Sequence, residues 1–276
     1  MTINYSIVLP TYNCNFIERS IDSIIKQTHK NWELIVIDNF SKNNVKKIIE
    51  SKNDKRIKYF RCKNKGIIAK SRNLGIKNAK FKWIAFLDSD DYWTSEKLSL
   101  VSKYIKKTNF DFFYHNMFIK RDTNYLLKKK LYKYNRSLKE PVFDDLIVNG
   151  NSIIQSSVVV KKNLIKRAGY LSEKKNLVAW EDFDLWLKIS KITERFYLIK
   201  KTMGYYYIPH NENNKLKRFI NNIEKFKKVY KNEIKKIKFK NKINSIWWIN
   251  YAEALMHYKN KNFDKSYFKI KDISTN

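Results

Sequence analysis

The chain has 276 residues, 43% of them hydrophobic, and a formal net charge of +32. That suffices for one large α/β domain, or one domain with a helical appendage, and excludes global disorder. Two cysteines, Cys14 and Cys62, give no disulfide framework and point to a reducing compartment; Met1 to Tyr5 lacks the basic and apolar regions of a secretory leader, and no window offers 18 uncharged apolar residues for a membrane span.

Ser6-Ile7-Val8-Leu9 reads as a short apolar strand ended by Pro10. Phe16, Ile17, Ile21, Ile24 and Ile25 fall at helical spacing and predict an amphipathic helix over 16–27. Trp32 to Ile37 is a second buried strand with Asp38 at its end. A helix over 43–51, a strand over Ile57 to Phe60 and a helix over 67–79 follow. The run Trp83-Ile84-Ala85-Phe86-Leu87 is a further buried strand, and Asp88-Ser89-Asp90-Asp91 stand at its exit. This alternation predicts a parallel sheet flanked by helices, in which ligands bind beyond the carboxyl ends of the strands. Pro10-Thr11-Tyr12, Asp38 and Asp88 to Asp91 all lie at such ends. Three carboxylates there are costly unless they hold something positive, and a hard divalent ion, Mg²⁺ or Mn²⁺, is the natural partner.

Beyond residue 100 the pattern loosens. Phe110 to Ile119 and Ser156 to Val160 read as strands and Phe183 to Ile189 as a helix. Residues 216–235 read as one Lys-rich helix with Phe219, Ile223, Phe226 and Tyr230 on one side, and the aromatics from Trp247 to Phe268 suggest two short helices packed together. Charge concentrates here: residues 215–242 hold 12 basic and 2 acidic residues, whereas residues 1–100 hold 19 and 10. The segment reads either as a solvated basic face or as a surface for an anionic partner.

The order and spacing of several motifs carry a resemblance. Ser6 to Asn13, Val36-Ile37-Asp38, Ser71-Arg72-Asn73-Leu74-Gly75-Ile76, Phe86 to Asp91, Trp93 with Lys97-Leu98, and Trp180-Glu181-Asp182-Phe183-Asp184-Leu185-Trp186-Leu187 together resemble inverting glycosyltransferases of family 2, over roughly residues 5 to 210. The resemblance implies the GT-A fold: α/β, Rossmann-like, with a mostly parallel sheet and a small C-terminal helical segment. It divides the chain into a donor-binding part (1–100), an acceptor and catalytic-base part (101–210) and a basic, aromatic-rich helical region (211–276). It implies a UDP-sugar donor, with Pro10, Thr11, Tyr12 and Asp38 at the base, Asp88 and Ser89 at the ribose and nucleotide, Asp90 on Mn²⁺ or Mg²⁺, Arg72 near the nucleotide and His210 near metal or diphosphate.

Asp182 is the candidate catalytic base, 92 residues after Asp90, with Glu181 second and Asp184 structural. Each residue has a plainer reading beside this one. Asp38 suits a turn or a cap, Asp91 a cap for the next helix, Glu181-Asp182 a helix N-terminus, and Arg72 a surface helix. Lys70-Ser71 replace the small pair usual before this arginine, and Phe40, where a glycine is common, is expected to reshape the nucleotide crevice. Asn151, Ser152 and Gln155 are acceptor contacts by position alone.

The implied activity is transfer of a hexose or N-acetylhexosamine to a glycan hydroxyl, on a polyprenyl-diphosphate-linked acceptor, in bacterial surface polysaccharide assembly such as O-antigen, lipooligosaccharide or capsule. Such a protein is expected in the cytoplasm, peripheral on the membrane's inner face through residues 215–242. The alternatives are a basic nucleic-acid-binding protein, an inactive sugar-nucleotide binder and a nucleotidyltransferase. The acidic exit loop and the lack of a nucleic-acid motif speak against nucleic acid as a partner. Pro10 to Phe16 lacks the glycine and basic residue of a triphosphate loop.

Overall fold

The computed structural model describes residues 2–121, 131–133, 135–208, 215–241 and 246–274. His210 lies outside the described residues, as does the side chain of Phe219. The first strands take up the apolar runs directly: β1 (Tyr5–Thr11), β2 (Trp32–Asp38) and β4 (Trp83–Phe86) are buried on both faces, and β3 (Ile57–Arg61) is a half-buried edge strand. Between them run α1 (Ile17–Ile25), α2 (Val45–Ser51) and α3 (Ile68–Asn78). Then come β5 (Tyr92–Trp93), α4 (Lys97–Lys107), β6 (Phe112–Arg121), β7 (Leu131–Lys133), α5 (Val142–Asn149), β8 (Val159–Lys161), α6 (Lys162–Arg167), α7 (Glu181–Ser190) and β9 (Phe196–Ile208). Four helices close the chain: α8 (Lys215–Val229), α9 (Lys231–Asn241), α10 (Trp247–Lys259) and α11 (Phe263–Ser274).

The strands form one sheet in the order β3-β2-β1-β4-β8-β6-β9-β5, with β7 on β6. The pairs β1–β2, β1–β4, β2–β3 and β6–β9 are parallel; β8 and β5 run against their neighbours. The sheet is thus mixed. The strand order reverses between β1 and β4, and such a switch point opens a crevice at the carboxyl ends. Side chains alternate between two cores. Val8, Ile35, Ile37 and Phe86 face α3 and the later helices, while Ile7, Leu9, Leu34 and Val36 face α1 and α4.

Two expected elements differ. The strand expected from Ser156 starts at Val159, because Gln155 to Ser157 make a 3₁₀ turn. The single basic helix over 216–235 is two helices, parted at Tyr230. Ile223, Phe226 and Tyr230 are buried against Trp180, Phe183 and Trp248, so α8 and α10 pack on the start of α7. No helix among the described residues is long and apolar enough to cross a membrane.

Candidate active site

A cleft of about 640 Å³ opens at the switch point, lined by Pro10, Thr11 and Tyr12 after β1, by Asn39 and Asn64, by Asp88, Ser89 and Asp90 after β4, and by Tyr207 of β9. Six of the ten candidate residues therefore line one cleft, and Asp38, Arg72 and Asp182 do not.

Asp38 lies beneath it, 2% exposed. Its Oδ1 accepts from the Ser41 N–H at 2.9 Å and its Oδ2 from the Tyr59 hydroxyl at 2.7 Å. The turn reading of Asp38 therefore describes its present bonds, and each oxygen keeps one lone pair. Phe40 does not line the cleft. It is half exposed, at φ 58°, with the Arg61 guanidinium 3.9 Å over its ring. The expected reshaping of the crevice by Phe40 is absent because its backbone turns the ring outward.

The loop after β4 is held from below by Ser156. The Ser156 hydroxyl accepts from the Asp88 N–H at 3.0 Å and bonds Asp91, and its carbonyl accepts from the Trp93 indole at 2.8 Å and from Lys97 Nζ at 3.1 Å. Lys97 is fully buried, 3.4 Å over the Trp93 ring, and burial pushes its ammonium well below the usual lysine range. Asp91 is also buried and accepts from the Tyr207 N–H at 2.9 Å. It caps no helix: β5 follows it, and α4 starts only at Lys97.

Burial, and then the charge of Asp88, push the Asp90 carboxyl up to about 6. Arg19 of α1 lies alongside, donating to the Asp90 carbonyl at 2.6 Å with its guanidinium over Phe16 and Tyr92. Two mutually repelling carboxylates suit a hard cation. Among the described residues no three His, Cys, Asp or Glu side chains converge to hold one. Asp88 and Asp90 alone would offer an ion of the Mg²⁺ or Mn²⁺ kind one or two carboxylates, leaving its other positions to phosphate and water.

Arg72 does not reach the cleft as a surface residue. It is 4% exposed and forks between two elements, with Nη2 to Asp88 Oδ1 at 2.7 Å and Nη1 to Glu181 Oε1 at 2.8 Å. This ties the β4 loop to the N-terminus of α7. Asp182 is the next residue on α7, and its Oδ1 accepts from the Phe183 N–H at 2.7 Å. Burial and then Glu181 push its carboxyl up to about 7, with Arg72 and that N–H pulling the other way. Glu181 is thus spent on Arg72, and Asp182 carries a carboxyl able to take a proton near neutral pH. Asp184 accepts from the Tyr230 hydroxyl at 2.7 Å and pairs with Lys188, a structural post.

The three acceptor candidates divide. Asn151 is exposed and its Oδ1 accepts from the Ile153 N–H, while Ser152 Oγ and both amide atoms of the buried Gln155 have no partner. None of the three lines the cleft. Sequence reasoning missed Arg19, Tyr207 and Ser156. Arg19 lies within a helix and shows no pattern, and Ser156 falls in an apolar run that reads as a strand. Tyr207 sits in the aromatic run 205–208 whose pairing was not readable.

With this geometry in view, the comparisons are specific. The family model described as glycosyl transferase family 2 matches residues 6–159. The Escherichia coli protein UDP-Glc:alpha-D-GlcNAc-diphosphoundecaprenol beta-1,3-glucosyltransferase WfgD is 33% identical over 191 residues, covering 67% of this chain and 69% of that one. An uncharacterized glycosyltransferase of Rickettsia bellii is 36% identical over 67% of this chain but only 26% of its own length, so the chain spans about a quarter of that relative. In structure, Staphylococcus aureus TarS 1–349 in complex with UDP-GlcNAc superposes with a TM-score of 0.64 at 17% identity, covering 99% of this chain and 92% of that one. A mannosyltransferase of Pyrobaculum calidifontis in complex with GDP-Man and Mn²⁺ gives 0.63 at 16% identity, over 100% and 76%. The neighbours speak for the fold alone, but the family model covers more than half of the chain and WfgD aligns across two thirds of it: the chain belongs to glycosyl transferase family 2.

Proposed function

We propose that the protein is a metal-dependent inverting glycosyltransferase that moves a hexose or N-acetylhexosamine from a UDP-sugar to a hydroxyl of a lipid-linked glycan, in bacterial surface polysaccharide assembly. The observation that carries this reading is the Arg72 bridge. It joins Asp88, which lines the cleft, to Glu181 of α7, the neighbour of Asp182, whose carboxyl is pushed up to about 7.

In the proposed reaction the acceptor oxygen attacks the anomeric carbon as the bond to the diphosphate breaks, and the hydroxyl proton passes to Asp182. UDP leaves with the electron pair. Pro10, Thr11 and Tyr12 form the wall for the base, with Asp38 below, and Asp88 and Ser89 face the nucleotide. Asp90 would hold Mn²⁺ or Mg²⁺, which when bound offsets the charge growing on the departing diphosphate. The donor assignment is supported by two relatives named for UDP-Glc and diphosphoundecaprenol, and by the TarS complex with UDP-GlcNAc. The basic segment 215–242 is proposed to face an anionic inner leaflet. Lys227 pairs with Glu224 and Glu253 and Lys240 with Asp144, but the segment's 12 basic residues far outnumber its 2 acidic ones.

Calorimetric titration with UDP and with GDP, with and without Mn²⁺, on the wild type and on Asp90→Ala, tests the reading. Metal-dependent UDP binding lost in Asp90→Ala is the expected result. Failure of both nucleotides to bind under either condition would sink it.

A further inference from the structure

Exposed apolar side chains are not spread over this molecule. Of eleven large hydrophobic side chains that stand exposed among the described residues, nine lie from Val229 onward. The densest group spans α10 and α11. Tyr251 and Tyr258 are seven positions apart, two turns of one helix face; Phe263, Tyr267 and Ile270 repeat the same spacing on the next helix, with Phe268 beside them. Tyr258, Phe263, Tyr267 and Phe268 are each about 60% exposed. The Tyr258 and Phe263 rings meet edge-on at 5.7 Å, so the two stripes join into one patch across the turn.

We infer that this patch is a membrane-docking surface, and that its occupant is the interfacial layer of an anionic bilayer. The inference refines the membrane side of the proposed function by naming a different element from the basic α8–α9 segment as the part that enters the lipid. Three observations favour lipid over protein. Lysines are interleaved with the aromatics: Lys259, Lys261 and Lys265 are exposed, and residues 258–271 carry five basic residues against one acidic. The core of a protein interface is depleted in lysine, and a second copy of this face would meet it with like charge. Tyrosine and phenylalanine over a rim of lysine, on a helix pair of low overall hydrophobicity, is the arrangement that lies in the headgroup plane. Finally, α10 is anchored close to its exposed stripe, three positions before Tyr251. Trp248 stacks on Trp180 at 5.8 Å, two residues before Asp182. The patch and the contact to the start of α7 thus share one helix, which would bring a membrane bound there towards the element that carries the proposed base and towards an acceptor sugar held by a lipid.

The test is co-sedimentation of the full chain with vesicles of phosphatidylcholine alone and of phosphatidylcholine with phosphatidylglycerol, for the wild type and for Tyr258→Ser/Phe263→Ser/Tyr267→Ser. These side chains are exposed, so the triple variant is expected to keep its melting temperature and its UDP affinity. The wild type should bind the anionic vesicles, and the variant should bind them at least tenfold more weakly. A wild type that ignores both vesicles, or a variant that binds as the wild type does, overturns the proposal. So does sedimentation velocity showing a wild-type dimer that the triple variant dissolves, which would assign the patch to self-association. UDP titration of the same samples keeps a failure of the nucleotide reading separate from a failure of this one.

Discussion

At the scale of single residues the site is governed by two acids and one arginine. With its carboxyl near 7, Asp182 is charged only above neutrality, so turnover limited by the chemical step should fall with the acid limb of a pH–rate profile centred near that value. A profile flat from pH 5 to 8 would remove Asp182 as the base. Asp182→Asn should lower turnover by about 10²–10⁴-fold while UDP still binds. The same shift bears on stability. The folded pKa lies above the usual 3.8, so the native state holds the extra proton between about 4 and 7, and stability drains away as pH rises through that window. Asp182→Asn should therefore melt higher than wild type at pH 8, by less at pH 5, and alongside it only below about pH 4. Equal melting temperatures at pH 8 would show that the carboxyl is not strained. Arg72 is the counterweight. Arg72→Met strands Glu181 and Asp88 without their cation, at a cost of roughly 3–5 kcal/mol, and Arg72→Lys cannot fork to both. Chemical denaturation should show the lowered midpoint in both variants, and an unchanged midpoint would mean the pairs contribute nothing.

Among the secondary elements, α3 shows how close packing sets the site. Gly75 rides against β1 and β2, and a Cβ there would lie 2.6 Å from Ile37 Cδ1 and 2.7 Å from Val8 Cγ1. Replacing glycine by alanine in a helix ordinarily gains about 1 kcal/mol, but overpacking a filled core costs about 1–3 kcal/mol. Both neighbours are fully buried, so the clash should win. Gly75→Ala is expected to lower the unfolding midpoint, and a stabilised variant would contradict the packing. The first four strands and three helices were legible because β1, β2 and β4 are apolar runs buried on both faces and α1 shows one apolar stripe, which sets the alternation the rest follows. Past residue 100 the signal failed for physical reasons. β5 has two residues and owes its existence to pairing with β9, and Ser156 turns rather than extends because it must serve Asp88, Asp91, Trp93 and Lys97 at once. The carboxylates of the β4 loop could be read from their cost at a strand end. The placement of Arg72 could not, since nothing local reveals a partner 109 positions away.

On the scale of the whole molecule, the C-terminal helices are part of the active half rather than an appendage to it. Phe226 and Trp248 cover Trp180 and Phe183 at the start of α7, and the Tyr230 hydroxyl reaches Asp184. A chain ending after Ile208 should lose that cover, expose those rings and bind a hydrophobic dye such as anilinonaphthalene sulfonate. A soluble, dye-silent truncation would show that α7 stands without them. The Arg72 fork has a last consequence for anyone who would exchange parts between relatives. Asp88 and Arg72 come from the first hundred residues and Glu181 from the remainder, and the one guanidinium serves both carboxylates. The two halves are therefore not interchangeable cassettes. A chimera joined near residue 100 draws positions 72 and 88 from one parent and 181 from the other, so unless both parents carry these same three residues it will import an unmatched charge at the seam and lose the alignment of donor and base whatever sugar its new half prefers.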